Sequence, residues 1–176
     1  MARLPYLPAD LAEPAELVAA IRARRGGRLL NLDRLLLYSP PLAAGWNAYL
    51  RAVRTELALP PRLRELAICA VAALNGAEYE FVHHAPEFLA AGGTPQQLQA
   101  LRAPQQALLG DGPFDAQERA ALALTVELTR DVVVNEATFT AVQSALGARG
   151  TVELVAVVAA YNMVSRFLVA FGVEPE

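Results

Sequence analysis

Both histidines of the chain stand side by side in the stretch Ala77 to His84, AEYEFVHH, and Glu80 precedes His84 by four residues. Residues four apart in a helix share a face, so Glu80 and His84 are within reach of each other. A carboxylate beside an imidazole raises the pKa of the ring and selects the nitrogen that carries the proton. This is the preparation a general acid or base requires. His83 points about 100° away around the helix, so the two imidazoles do not share one small site, and His84 is the favoured member. The plainer alternative is a stabilising pair on a half-exposed helix.

The preceding segment, RLRELAICAVAAL, ends at Asn75-Gly76, a strong helix stop. The helix carrying the histidines is therefore expected to fold back on it. At 1.5 Å per residue Glu65 lies about 16 Å before the turn and His84 about 12 Å after it, close enough in level for their side chains to meet. Glu65, Glu80 and His84 would then converge between two helices. A first-turn acid favoured by the helix dipole is the simpler role for Glu65.

Other groups with chemical potential are fewer. Cys69 is the one cysteine, which excludes an intrachain disulfide and a multi-cysteine zinc site. Its apolar surroundings, LAICAVAAL, suit a buried structural thiol. Glu80 and His83 form an E-x-x-H spacing, but a di-iron bundle uses that motif twice and no histidine remains for a second copy. No metal is expected. Asn162 and Arg166 lie four apart in the last apolar helix, where a buried arginine would need an anion: an acid such as Glu153 or Glu127, or a substrate carboxylate. Tyr79, Phe81, Trp46 and Tyr161 are read mainly as packing aromatics.

The elements that position these groups are helical throughout; no run of alternating polarity between turn residues suggests a hairpin of strands. Ser39 before Pro40-Pro41, and Pro60-Pro61, open helices near 42–57 and 62–75. Thr94 with Gln97 and Asp115 with Glu118 form capping boxes, Asn135 caps a further helix, and GARGT at Gly147 to Thr151 separates that helix from the last. The expectation is an all-α single domain over 1–176, with about seven or eight helices around a central helix hairpin. Residues 1–14, with three prolines, form an extended arm expected to lie across a neighbouring subunit.

Composition narrows the function classes. With 18 acidic and 15 basic residues, net charge −3 and scattered arginines, the chain carries no footprint for nucleic acid. Val152 to Val173 is long and apolar, but Glu153, Asn162, Ser165 and Arg166 interrupt it, so a buried helix is expected rather than a membrane span. The proline-containing start does not read as an export signal, and a cytoplasmic location is expected, in keeping with the single cysteine. A hydrophobic share of 55% against 19% charged residues suggests that some apolar surface is buried between subunits.

RELAICAVAALNGAEYEFVHH resembles the carboxymuconolactone decarboxylase family, of which the alkylhydroperoxidase AhpD-like proteins are a branch; SPPLAAGWNAYL and AAYNMVSRFLVAFGV also look like family features. The redox members carry a glutamate, a Cys-x-x-Cys pair and a histidine. Aligned on Glu65 and His84, this chain has Ala77 and Glu80 where the two cysteines would be, so the thiols of a peroxidatic disulfide are missing. The resemblance implies an AhpD-like helical subunit assembled as a homotrimer or homohexamer. It also implies cofactor-free acid/base chemistry on a small carboxylated or lactone-type substrate.

In that reading His84 moves the proton, Glu80 orients it, Glu65 is a second carboxylate, and Arg166, Tyr79 and His83 contact the substrate. An alkylhydroperoxidase-type activity is the alternative that the absent cysteines disfavour. A non-catalytic binding protein on the same fold is the third.

Overall fold

The computed structural model describes residues 2–176, which form nine helical segments and, among those residues, no strand. These are α1 (Ala15–Arg24), α2 (Asn31–Leu36), α3 (Pro40–Thr55), α4 (Pro61–Asn75), α5 (Glu78–Ala90), α6 (Pro95–Ala100), α7 (Pro104–Ala107), α8 (Ala116–Arg130) and α9 (Glu136–Phe171). The all-α class is as expected. The six-residue α2 and four-residue α7 take the number past eight, because segments this short leave no helical periodicity to read. Within α9, Gly147 adopts φ 68° and ψ 177°, so two helices meet at the first residue of the GARGT break.

Prolines and caps open the helices in two ways. Thr94 and Gln97 bond reciprocally (3.1 and 2.9 Å), as do Asp115 and Glu118 (2.8 and 3.0 Å), completing both capping boxes. Ser39 makes no side-chain cap bond, contrary to expectation. Pro40 and Pro41 lack N–H groups, so the first turn of α3 has fewer donors for a hydroxyl to satisfy.

The chain divides into two compact units, Met1–Glu56 with Ala170–Glu176, and Leu57–Val169. In the first, the non-helical residues 2–14 are tied to their own chain. Arg22 donates to the carbonyls of Ala9 and Leu11, Tyr38 to that of Pro5, and the Tyr6 hydroxyl accepts from the Glu174 N–H. Buried Asp33 pairs with Arg24 and Arg25 and accepts from the Leu30 N–H.

In the second unit, α4 is apolar on every side from Leu66 to Leu74, and Leu66 through Val71 are wholly buried, as a helix surrounded by others must be. Helices α5 and α8 pack along it. Its core gathers Leu66, Cys69, Phe81, Phe88, Leu101 and Leu122. Pro86 interrupts the α5 ladder on an exposed face, where water can bond the carbonyl it leaves.

Between α8 and α9, Val132 sits at φ 64°, a left-handed conformation costly for a β-branched residue, and its side chain is 75% exposed. Glycine relieves that strain and forfeits little burial. Val132→Gly is expected to raise the unfolding free energy by about 1 kcal/mol, measured as a higher urea midpoint at unchanged slope; a lower midpoint would count against the strain.

Candidate active site

The turn between α4 and α5 fixes the geometry of the site. Gly76 ends α4 with φ 66° and ψ 27°, its N–H bonding the Ala73 carbonyl, while the Ala77 N–H returns to Ala72 at 2.8 Å. This is a Schellman closure, in which glycine occupies the left-handed position without steric penalty. One residue later α5 begins and runs back along α4.

That reversal brings Glu65 and His84 into direct contact. The ring Nδ1 of His84 lies 2.6 Å from Oε2 of Glu65, and the two side chains are 12% and 6% exposed. With Glu65 ionised, Nδ1–H donates to it and the proton position on that side of the ring is fixed. The second oxygen of Glu65, Oε1, accepts from Nε of Arg64 at 3.1 Å. The ring of Tyr161, from α9, stands edge-on to His84 with centroids 5.0 Å apart.

Glu80, from α5, is equally buried and accepts a 2.7 Å hydrogen bond from the Ser165 hydroxyl on α9. Cys69 lies one turn after Glu65 on α4 and is wholly buried. Burial pushes its thiol far above the ordinary value, and the negative charges of Glu65 and Glu80 push it further. The cysteine at this site is therefore a thiol rather than a nucleophilic thiolate.

Burial alone would raise the Glu65 pKa, but the hydrogen bond and charge of His84, followed by those of Arg64, outweigh it and leave the carboxyl below its ordinary value. The folded-state value is thus lower than the unfolded one. The stabilisation is present above the unfolded value near 4.5 and is lost as the pH falls through the folded one.

The remaining predicted residues are placed less centrally. His83 turns its Nδ1 to the carbonyl of Tyr79 (2.7 Å) and stacks on the buried Tyr79 ring, with centroids 4.2 Å apart. Arg166 is exposed, not buried as expected, and both its hydrogen bonds return to Asn162 in its own helix, at 2.6 and 3.0 Å. Neither suggested acid is its partner: Glu153 binds Arg149 and the Leu59 N–H, and Glu127 binds Thr138 and the Asn135 N–H. The cause is that α9 is apolar all round but covered only in part; Met163 and Val169 are exposed beside Arg166.

The stretch of α9 that is apolar enough to cross a membrane is half buried within the chain. Its Glu153, Asn162 and Ser165 all find protein partners.

Residues that the sequence reading did not assign to the site are Arg64, Tyr161 and Ser165. Ser165 carried a signal, being one of four polar interruptions in an apolar helix, and its spacing of four from Tyr161 places both on the face toward α5.

Residues 40–127 match the model of the carboxymuconolactone decarboxylase family. The chain has no significant match among curated proteins. Among solved structures it is similar to a peroxidase-related protein from Silicibacter sp. TM1040, at 22% identity and TM-score 0.83, covering 99% of this chain and 92% of that one. It is also similar to a peroxidase-related protein with an alkylhydroperoxidase AhpD core from Ralstonia eutropha JMP134, at 20% identity and TM-score 0.83, covering 99% and 92%. The debrominase Bmp8 in complex with 2,3,4-tribromopyrrole aligns at 17% identity and TM-score 0.82, over 100% and 94% of the two chains. At these identities the likeness is one of fold, and that fold is AhpD-like.

Two measurements test the geometry. Cys69 should resist a thiol reagent in the folded protein and react fully after unfolding; rapid native labelling would contradict its burial. Glu65→Gln should flatten the acid side of the stability–pH curve, since the group whose protonation weakens the fold is gone; an unchanged acid limb would contradict the pairing.

Proposed function

Since the chain belongs to the carboxymuconolactone decarboxylase family, we propose that it is a cofactor-free enzyme performing acid/base chemistry, decarboxylation or a related step, on a small carboxylated or lactone-type compound. The observation that carries this reading is the 2.6 Å contact between His84 Nδ1 and Glu65 Oε2 in a secluded position between α4 and α5. An imidazole so held has a defined proton and a partner that supports its charged form, which proton transfer requires.

The chemistry balances with these groups. As the bond to the leaving carboxylate breaks and CO2 departs, its electron pair enters the conjugated carbonyl of the substrate. Nε2–H of His84 delivers a proton to the carbon, and water restores the imidazolium. Glu65 orients the ring throughout, so the orienting role expected of Glu80 is taken on the Nδ1 side by Glu65. Glu80, tied to Ser165, supplies the second carboxylate. Tyr79 and His83 lie on the same helix as potential substrate contacts, and Arg166 offers an exposed cation for a substrate carboxylate.

A thiol-dependent peroxidase is the weaker reading, because Ala77 and Glu80 occupy the positions of the family's cysteine pair and the thiolate of Cys69 is disfavoured. We further propose assembly into a homotrimer or homohexamer in the cytoplasm, supported by exposed Val82 and Leu89 on one face of α5.

A screen of carboxylated lactones provides the test. On any compound turned over, His84→Ala is expected to lower kcat/KM by about 10²–10⁴-fold with the fold retained, as for loss of a general acid or base. Cys69→Ala is expected to leave it essentially unchanged. Full turnover by His84→Ala would overturn the proposal, and hydroperoxide consumption abolished by Cys69→Ala would revive the thiol route.

A further inference from the structure

Each oxygen of Glu65 meets a nitrogen group. His84 occupies Oε2, and Arg64, the neighbour in sequence, occupies Oε1 through Nε at 3.1 Å, with the arginine side chain 15% exposed. Among the described residues the Arg64 side chain pairs with no other acid and makes no other hydrogen bond. Most of its charge is therefore spent, largely out of water, on one carboxylate.

The surroundings offer no substitute. On α4, the other titratable group facing Glu65 is Cys69, whose thiol is neutral. From α5 come His84 and, across Cys69, the carboxylate of Glu80; from α9 come Tyr161, edge-on to His84, and Ser165, bonded to Glu80. On α8, which packs along α4, Glu118 is held by Arg62 and Glu127 by Thr138 and the Asn135 N–H. Arg102 is engaged with Glu78 and lies over the Phe81 ring.

A buried carboxyl–imidazole pair has two forms that differ by one proton shift: carboxylate with imidazolium, or carboxylic acid with neutral imidazole. Loss of water favours the uncharged form. We propose that Arg64 is a positioning residue for the site: its charge and its contact with Oε1 keep Glu65 a carboxylate, so the shared proton stays on Nδ1 of His84. A proton on Oε2 would leave Oε1 a neutral carbonyl acceptor and weaken the guanidinium contact, and this tips the balance toward the charged form. With the proton on Nδ1, gain or loss of the second ring proton is confined to Nε2.

The inference rests on the acid/base reading of the site, but its test needs no substrate. In the full chain, labelled with ¹³C at the glutamate carboxyls, the Glu65 resonance is assigned by its loss in Glu65→Gln and followed through a pH titration. Arg64→Gln is expected to move the Glu65 midpoint upward and to shift the His84 Nδ1 ¹⁵N resonance toward the unprotonated position.

Arg64→Lys, which restores a cation, is expected to return both toward wild type, whereas a purely structural role would leave the Lys and Gln variants alike. An unmoved Glu65 midpoint in folded Arg64→Gln overturns the proposal; should that variant not fold, Arg64→Met, which keeps the apolar stem, is titrated under the same criterion. A midpoint that moves while His84→Ala retains full turnover faults the catalytic reading instead.

Discussion

The second unit of the molecule is organised around a carboxylate that has been taken out of water against an imidazole. Glu65 lies on the most deeply buried helix of the chain, where an unpartnered charge would cost several kcal/mol. His84 on one oxygen and Arg64 on the other meet that cost, and they act only if α5 returns along α4 at one register. The site and the core are therefore a single problem: the contact that makes the imidazole useful is also the one that makes the carboxylate tolerable.

Helix α9 completes this arrangement with polar groups placed sparingly in an apolar sequence. Tyr161 closes one edge of the His84 ring and Ser165, four residues on, donates to Glu80. One step around the helix, Asn162 donates to Thr129 on α8 and accepts from Asn75 at the end of α4. Ser165 and Asn162 thus tie α9 to α5, α8 and α4, which helps a helix so apolar keep one orientation against its neighbours.

Much of this was legible from residue types and spacing, and the failures have identifiable causes. The hairpin followed from Asn75-Gly76, and the capping boxes from Thr94 and Asp115, because these signals are local. The meeting of Glu65 with His84 followed from counting rises along two helices. What spacing could not weigh is competition among partners: Glu80 stands one turn from His84 on the same helix, yet Nδ1 is met by Glu65 from the facing one. Arg166 was misjudged because apolar neighbours in sequence do not reveal which side of a helix is covered. Arg64 was passed over because adjacent residues in a helix do not share a face, whereas a long arginine can bend back to the next side chain.

The closure at Gly76 also sets how this site can vary. A substitution at Ala77 or Glu80 exchanges one side chain for another at a fixed place, whereas one residue inserted within α5 between Glu78 and His84 would swing every later side chain of that helix by about 100° and slide it by about 1.5 Å. His84 would then face away from Glu65. The scaffold is open to changes of chemical identity and closed to changes of length, so new reactions on it must arise by replacement within an invariant spacing.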